Sequence, residues 1–114
     1  CVAVADGFYE WKREEKVKTP YYFLREDKKN MYMAGIYEND EFCLITENAS
    51  ENISSIHHRQ PVILNEVDVN RYLNLELSGS NFLNECNKTK LCFYEISKEV
   101  NKPTNNSISL IQQL

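Results

Sequence analysis

The 114-residue chain is poor in the residues that usually divide or staple a polypeptide. It has three glycines, three prolines and four cysteines, and no two cysteines lie at the two- or three-residue spacing of zinc or redox motifs. With so few breakers there is no Pro/Ser-rich linker and no visible repeat, which predicts one continuous domain over 1–114. No apolar run nears the roughly 20 residues that cross a bilayer, and no basic-then-apolar leader is present. The expectation is a soluble, cytoplasmic protein with no membrane partner. Positive charge is also short: 13 basic against 17 acidic side chains give −4. That balance argues against a broad phosphate-gripping surface and leaves room only for a local basic groove. An initiator Met is missing too, since the sequence starts at Cys1; either Met was removed or the chain is a piece of something longer.

What is present suits a folded core. Hydrophobic residues make up 42% and aromatics 11%, and a domain of this length buries roughly two-thirds of the surface its unfolded chain exposes. Cys43, Cys86 and Cys92 read as free thiols buried as small hydrophobes. Asn-x-Ser/Thr triplets at Asn48, Asn52 and Asn87 carry little weight in a chain with thirteen Asn. Runs rich in β-branched and aromatic residues, Val2 to Ala5, Phe8 to Arg13, Pro20 to Arg25, Met31 to Tyr37 and Glu41 to Thr46, predict strands. Turn chemistry separates them at Asp6-Gly7, Glu14 to Lys18, Asp27 to Asn30 and Asn39-Asp40. Asn48 to Ser55 suits a short helix, and Val62 to Leu64 is short and apolar. Asn65 reads as an N-cap with Asp68 three residues on, followed by Val69, Tyr72 and Leu73 at helical spacing on one face. A second short helix is expected near Ser80, a strand over Leu91 to Ile96, and loop or irregular coil from Asn101 to Ser109. The sum is α+β, with more strand than helix and the strands mostly antiparallel.

Three places hold residue types with chemistry. In Phe8-Tyr9-Glu10-Trp11-Lys12, strand alternation puts Phe8, Glu10 and Lys12 on one face and Tyr9, Trp11 and Arg13 on the other. A carboxyl desolvated among aromatics has its pKa raised and serves as a general acid or base near neutrality; the plain alternative is an exposed Glu10 on an edge strand, paired with Lys12 or a cross-strand Lys. Ile56-His57-His58-Arg59-Gln60-Pro61 holds both histidines. Neighbours on a regular strand or helix point apart, so the pair does not chelate one metal, and no metal or cofactor is expected. A single His can move a proton and Arg59 can fork onto a phosphate, against the plain reading of a surface His pair with a structural Arg. Cys1, if a true N-terminus, sets an α-amine of pKa roughly 8 beside a thiol of pKa about 8.5, the pair that captures aldehydes as thiazolidines. If Asp6-Gly7 turns a two-residue hairpin, Cys1 lies across from Lys12; if the chain runs straight, Cys1 and Glu10 are about 30 Å apart at ~3.3 Å per residue.

Several blocks, taken in order, resemble the SOS-response-associated peptidase (SRAP) family, whose members process abasic sites in single-stranded DNA. They are Cys1-Val-Ala-Val-Ala-Asp-Gly-Phe-Tyr-Glu-Trp-Lys12, Thr19-Pro20-Tyr-Tyr-Phe23, Ala34-Gly35-Ile36-Tyr37-Glu38, Ile45-Thr46, Ile56-His-His-Arg-Gln-Pro-Val-Ile-Leu64, and Val100-Asn101 with Asn105-Asn106 and Leu110-Ile111. The resemblance implies a curved, barrel-like, mostly antiparallel sheet with a few short helices. It also implies a chemistry in which an N-terminal Cys traps the abasic-site aldehyde as a thiazolidine crosslink, with associated autopeptidase activity. Glu10 corresponds to the family's active-site Glu, which shuttles protons in self-cleavage and in Schiff-base formation or reversal. His57 corresponds to its His, which assists sugar ring opening and strand elimination. Trp11 and Arg59 match residues that stack on unpaired nucleotides and hold a phosphate.

The chain also departs from the family. The opening segment, with the nucleophilic Cys, the following Gly-Arg-Phe and a later Asn, has no counterpart, and Cys1 aligns with an internal Cys. It is a candidate nucleophile only as a true N-terminus. Val4 replaces Pro, Gln60 replaces Met, and the tail differs at Thr104, Asn106 and Ile108. The expectation is thus the C-terminal half to two-thirds of the domain, N-terminally incomplete, with single-stranded abasic DNA as partner and nucleoid association when bound. A missing N-terminal segment or self-association would complete it. The competing expectations are a non-catalytic single-stranded-DNA-binding module and an inactive truncated remnant.

Overall fold

The computed structural model describes residues 1–77, 79, 81–86 and 88–114. Nine strands are seen among them: β1 (Val2–Ala5), β2 (Phe8–Glu14), β3 (Val17–Arg25), β4 (Met31–Glu38), β5 (Glu41–Leu44), β6 (Thr46–Asn48), β7 (Arg59–Pro61), β8 (Ile63–Leu64) and β9 (Leu91–Glu95). Two short α-helices, α1 (Glu66–Leu73) and α2 (Phe82–Glu85), and two 3-10 turns, Lys98–Asn101 and Ile108–Ile111, complete the order. One sheet runs β1-β4-β5 with β8 also on β4, a second runs β2-β3-β9, and β6 pairs with β7. All pairings are antiparallel. The class is α+β as the pattern implied, but the sheets do not close into a barrel among the described residues.

Turn chemistry accounts for most boundaries. Glu38 pairs with Glu41 across Asn39 and Asp40, both with positive φ, the two-residue turn whose twist suits a hairpin. Glu14 pairs with Val17, and Glu15 takes the left-handed conformation between them. Asp6-Gly7 makes no hairpin: β1 pairs with β4 and β2 with β3, so the chain passes here from one sheet to the other. A side chain at Gly7 would sit 2.3 Å from the Phe23 carbonyl oxygen and 2.6 Å from the Tyr22 ring, so the glycine serves a close approach. α1 starts where its cap predicts, with the Asp68 N–H donating to Asn65 Oδ1 at 2.8 Å. Its buried face differs from the expected stripe: Asp68 is fully buried and paired with Arg71 at 2.9 Å, while Leu73 is 52% exposed. The stretch Asn48 to Ser55 holds the end of β6 and then turns over 51–55 rather than a helix, with the Ser54 N–H closing on Ser50 O. The second helix begins at Phe82; Ser80, near which it was expected, and the Asn87 triplet lie outside the described residues.

Cross-strand register builds the second sheet from two aromatic rows. Phe8, Phe23 and Phe93 form one, with ring centroids 4.9 and 5.1 Å apart; Tyr9, Tyr22 and Tyr94 form the other at 5.8 Å spacings. The Phe row enters a core of Met31, Met33, Ile53, Ile56 and Ile63. The tail covers the Tyr row, where Tyr94 donates to the Ile111 carbonyl at 2.6 Å. β4 alternates between this core and a second one of Ala34, Val62, Leu64, Leu77 and Phe82. The segment from Asn101 to Ser109 is therefore partly regular, and Leu110 anchors it inside. All four cysteines are free; Cys86 is buried and Cys92 half-buried, but Cys43 is exposed, against expectation, because β5 is uncovered along its whole length.

Candidate functional site

β2 is the edge of its sheet, and its inward face ends in Glu10 and Lys12 after Phe8. The turns after Asn48 bury Ile53 and Ile56 in the core beneath it, and these two anchors carry His57 up to the strand. The result is a contact between distant parts of the chain: His57 Nδ1 lies 3.9 Å from Glu10 Oε2, with the two side chains about 30% exposed (31% and 29%). That separation is an ion-pair distance when the imidazole is protonated and too long for a direct hydrogen bond. Glu10 is neither the fully desolvated carboxyl nor the Lys-paired edge residue of the two sequence readings. Lys12 pairs instead with Glu14 at 2.7 Å, which raises the lysine's pKa through that hydrogen bond and charge.

Each group is held by a second contact. Glu10 Oε1 accepts from the Trp11 backbone N–H at 2.9 Å, fixing which oxygen faces the imidazole. His57 Nδ1 lies 3.2 Å from the Arg59 N–H and 3.1 Å from the Arg59 carbonyl. Nδ1 accepts from the first where the tautomer leaves it bare and donates to the second where it carries hydrogen. His58 stacks on His57 with centroids 4.6 Å apart. Trp11 points to the other face of β2, where its indole N–H donates to Asn101 Oδ1 at 2.7 Å and its ring lies 6.5 Å from Tyr9. Arg59 braces β7 against β6 with hydrogen bonds to Asn48 Oδ1 (2.9 Å), Thr46 O (2.9 Å) and Thr46 Oγ1 (3.1 Å). Three contacts use three of the five donors of a guanidinium.

A groove of about 510 Å3 runs along the β2 edge between Trp11, Lys12 and Arg13 on one bank and Ser55, His57 and His58 on the other. It is open and lined by cations and hydroxyls, with Trp11 on its bank. Such an arrangement can hold an anionic strand and move a proton beside it. Among the described residues no cluster of three or more His, Cys, Asp or Glu suits a metal ion, and no helix is long and apolar enough to cross a membrane. Cys1 is not brought to this groove. Its amine donates to the Gly35 carbonyl at 2.9 Å as part of the β1–β4 ladder, and it lines two apolar hollows that share no residue with the groove.

Sequence reasoning did not single out Asn101, Asn48 and Thr46, which set the orientation of Trp11 and Arg59. Asn101 stood within one of the quoted blocks, but no local signal links it to a tryptophan 90 positions earlier. Gln60 is buried and accepts from the Ser50 N–H at 2.8 Å, so its side chain closes the turn that delivers His57.

Comparison with known proteins agrees with the blocks. The family described as SOS response associated peptidase (SRAP) matches residues 1–103. An abasic site processing protein of Saccharomyces cerevisiae is 31% identical over 130 aligned positions, covering 100% of this chain and 35% of that protein. One of Bacillus subtilis is 32% identical over 126 positions, covering 98% of this chain and 56% of its own length. A crystal structure of a protein from Bacteroides thetaiotaomicron superposes with a TM-score of 0.82 at 27% identity, over 100% of this chain and 56% of that one. The chain thus spans about half or less of the length of the proteins it matches.

Proposed function

This chain belongs to the SOS response associated peptidase family, and from that premise we propose that it carries the acid–base and strand-holding side of a site that recognises abasic sites in single-stranded DNA. The observation that carries the reading is the meeting of Glu10 at 3.9 Å with His57, which lines the β2-edge groove. An abasic sugar equilibrates between a closed hemiacetal and an open aldehyde. Opening needs a proton delivered to the ring oxygen and another taken from the anomeric hydroxyl, the work of a carboxylate and an imidazole side by side. Trp11 offers its ring to a neighbouring base, and Arg59 and Arg13 offer donors to phosphates.

Capture of the aldehyde requires an amine that expels water to give an imine and a thiolate that adds to the imine carbon, closing a thiazolidine. Cys1 has both groups as an N-terminus, but its amine sits in the β1–β4 ladder outside the groove. We assign the nucleophile instead to polypeptide beyond these 114 residues, contributed by an N-terminal segment of the family domain. The same Glu10 would serve the associated self-cleavage. The place of action is the cytoplasm, at the nucleoid when DNA is bound.

The test is incubation with single-stranded DNA bearing one abasic site, followed by denaturing electrophoresis. The expected result is salt-sensitive binding without a covalent band for the chain alone, and a covalent band once an N-terminal family segment beginning with Cys is supplied. A band formed by the chain alone and lost in Cys1→Ala would move the nucleophile to Cys1. Salt-sensitive binding that never becomes covalent would reduce the chain to a binding module, and no binding at all would leave an inactive remnant.

A further inference from the structure

Strand alternation sets Glu10, Lys12 and Glu14 on one face of β2, each about 6.6 Å from the next along the strand. Lys12 thus stands between two carboxylates, and its four-carbon stem lets the ammonium reach either one. The residues opposite these three on β3 are Tyr21, Thr19 and Val17, so the facing strand offers the ammonium no third acid. Its choice lies between Glu10 and Glu14.

Lys12 Nζ takes Glu14, 2.7 Å from its Oε1, and the hydrogen bond and charge of Glu14 are what raise the lysine's pKa. Glu10 keeps one oxygen on the Trp11 N–H and turns the other, Oε2, to His57. The two acids differ in exposure, 63% for Glu14 against 29% for Glu10. Pairing with the open carboxylate strips less water from the ammonium, so Glu14 wins while it is present. Without it, Glu10 is the one carboxylate left on that face within reach. An ammonium on Oε2 would occupy the lone pairs that face the imidazole and make the carboxylate a weaker base.

We infer that Glu14 is a positioning residue for the Glu10–His57 pair: it holds the Lys12 ammonium at the turn end of β2 and so keeps it off the carboxylate that faces the imidazole. This explains how a lysine lies on the bank of the groove, where a strand phosphate can use it, without neutralising the acid two residues away. The inference rests on the abasic-site reading only for what the Glu10–His57 pair does. Which carboxylate Lys12 binds is a property of the chain alone.

Two measurements test it. The first uses the chain without DNA: in NMR, scalar coupling across the hydrogen bond between a lysine Nζ and a carboxylate carbon names the acid that the ammonium binds. Lys12 should couple to Glu14 in the unsubstituted chain and to Glu10 in Glu14→Gln, an isosteric change at an exposed position. Absence of the Glu10 coupling in that variant overturns the inference. The second is abasic-site processing by the chain completed with an N-terminal family segment. Glu14→Gln should slow it about tenfold when Lys12 is present and by less than about twofold when Lys12→Gln is already in place. An equal effect in the two backgrounds, whether a fall or none, overturns the inference, because Glu14 then does not act through Lys12. If the unsubstituted completed protein processes no abasic DNA, the abasic-site reading fails, and the coupling still decides whether Glu14 keeps the lysine from Glu10.

Discussion

The two ends of the molecule are finished to different degrees. At the β2 edge every candidate functional group has a fixed neighbour: Glu10 on the Trp11 N–H, His57 on the Arg59 backbone, Trp11 on Asn101 and Arg59 on Asn48 and Thr46. At the β4–β5 end, Ile36, Tyr37 and Phe42 stand in solvent beside an unpaired strand edge. Polar side chains close their own contacts within a short reach, whereas apolar surface is satisfied only when a further element is laid over it. Among the described residues the β2 edge is self-supporting and the β4–β5 end is uncovered.

Substitution can break that contrast. Phe23→Ala, in a fully buried ring between Phe8 and Phe93, should destabilise by about 3–5 kcal/mol. Phe42→Ala, of equal chemistry at the uncovered end, should stay within about 0.5 kcal/mol. Denaturant titration of the two measures the difference, and similar losses would mean that the hairpin end is already covered in solution. Next in size, Glu10→Gln and His57→Ala should lower abasic-site processing by about a hundredfold or more in the completed protein while leaving its melting temperature nearly unchanged. A large fall in melting temperature would make the pair structural.

Trp11→Ala should weaken single-strand binding by about 1–3 kcal/mol, a factor of roughly 5 to 160. Asn101→Ala, which frees the indole without removing it, should have a smaller effect of about 0.5–1.5 kcal/mol. Equal effects in fluorescence anisotropy titrations would show that the indole's orientation matters as much as its presence. The smallest effect is alkaline. Burial raises the phenols of Tyr22 and Tyr94 under the tail and of Tyr72 near the open end above their ordinary value of 10.0. The folded state therefore binds these protons more tightly than the unfolded chain. The stability they contribute is full below pH 10 and is lost as pH rises through and beyond it. Tyr22→Phe and Tyr72→Phe should each flatten the fall measured by denaturant titration above that pH.

Local chemistry made much of this legible in advance. Four of the five strand runs of the first half and the Asn65 cap rest on alternation and turn residues, which act within a few positions, and they fall close to where expected; the run Glu41 to Thr46 breaks instead at Ile45 into β5 and β6, which lie in different sheets. Local signals failed where a distant partner decides. Asp6-Gly7 has hairpin chemistry, but β1 finds β4 instead, and the glycine is spent on the approach of Phe23. Cys43, expected as a buried small hydrophobe, is exposed because nothing among the described residues lies over β5. Asp68 does meet the Asn65 cap through its N–H, but only the packing of α1 makes its side chain fully buried. The site residues themselves were nameable from two blocks, yet neither block contains a reason for Glu10 and His57 to meet.

By itself, then, the sequence determined the α+β character, most strands of the first half and the start of α1, because hydrogen-bonding preference and side-chain alternation are properties of neighbours; residue type alone offered Glu10, His57, Arg59 and Cys1 as candidates, and the family blocks added Trp11 and the roles. Only the tertiary structure decided that Glu10 faces His57, that Asn101 holds Trp11, and that Cys1 lies in a ladder away from both. Those outcomes depend on how Ile53 and Ile56 pack under the β2–β3–β9 sheet and on which strand β1 pairs with. Burial is non-directional and sums over the whole fold, so no short window of residues specifies it.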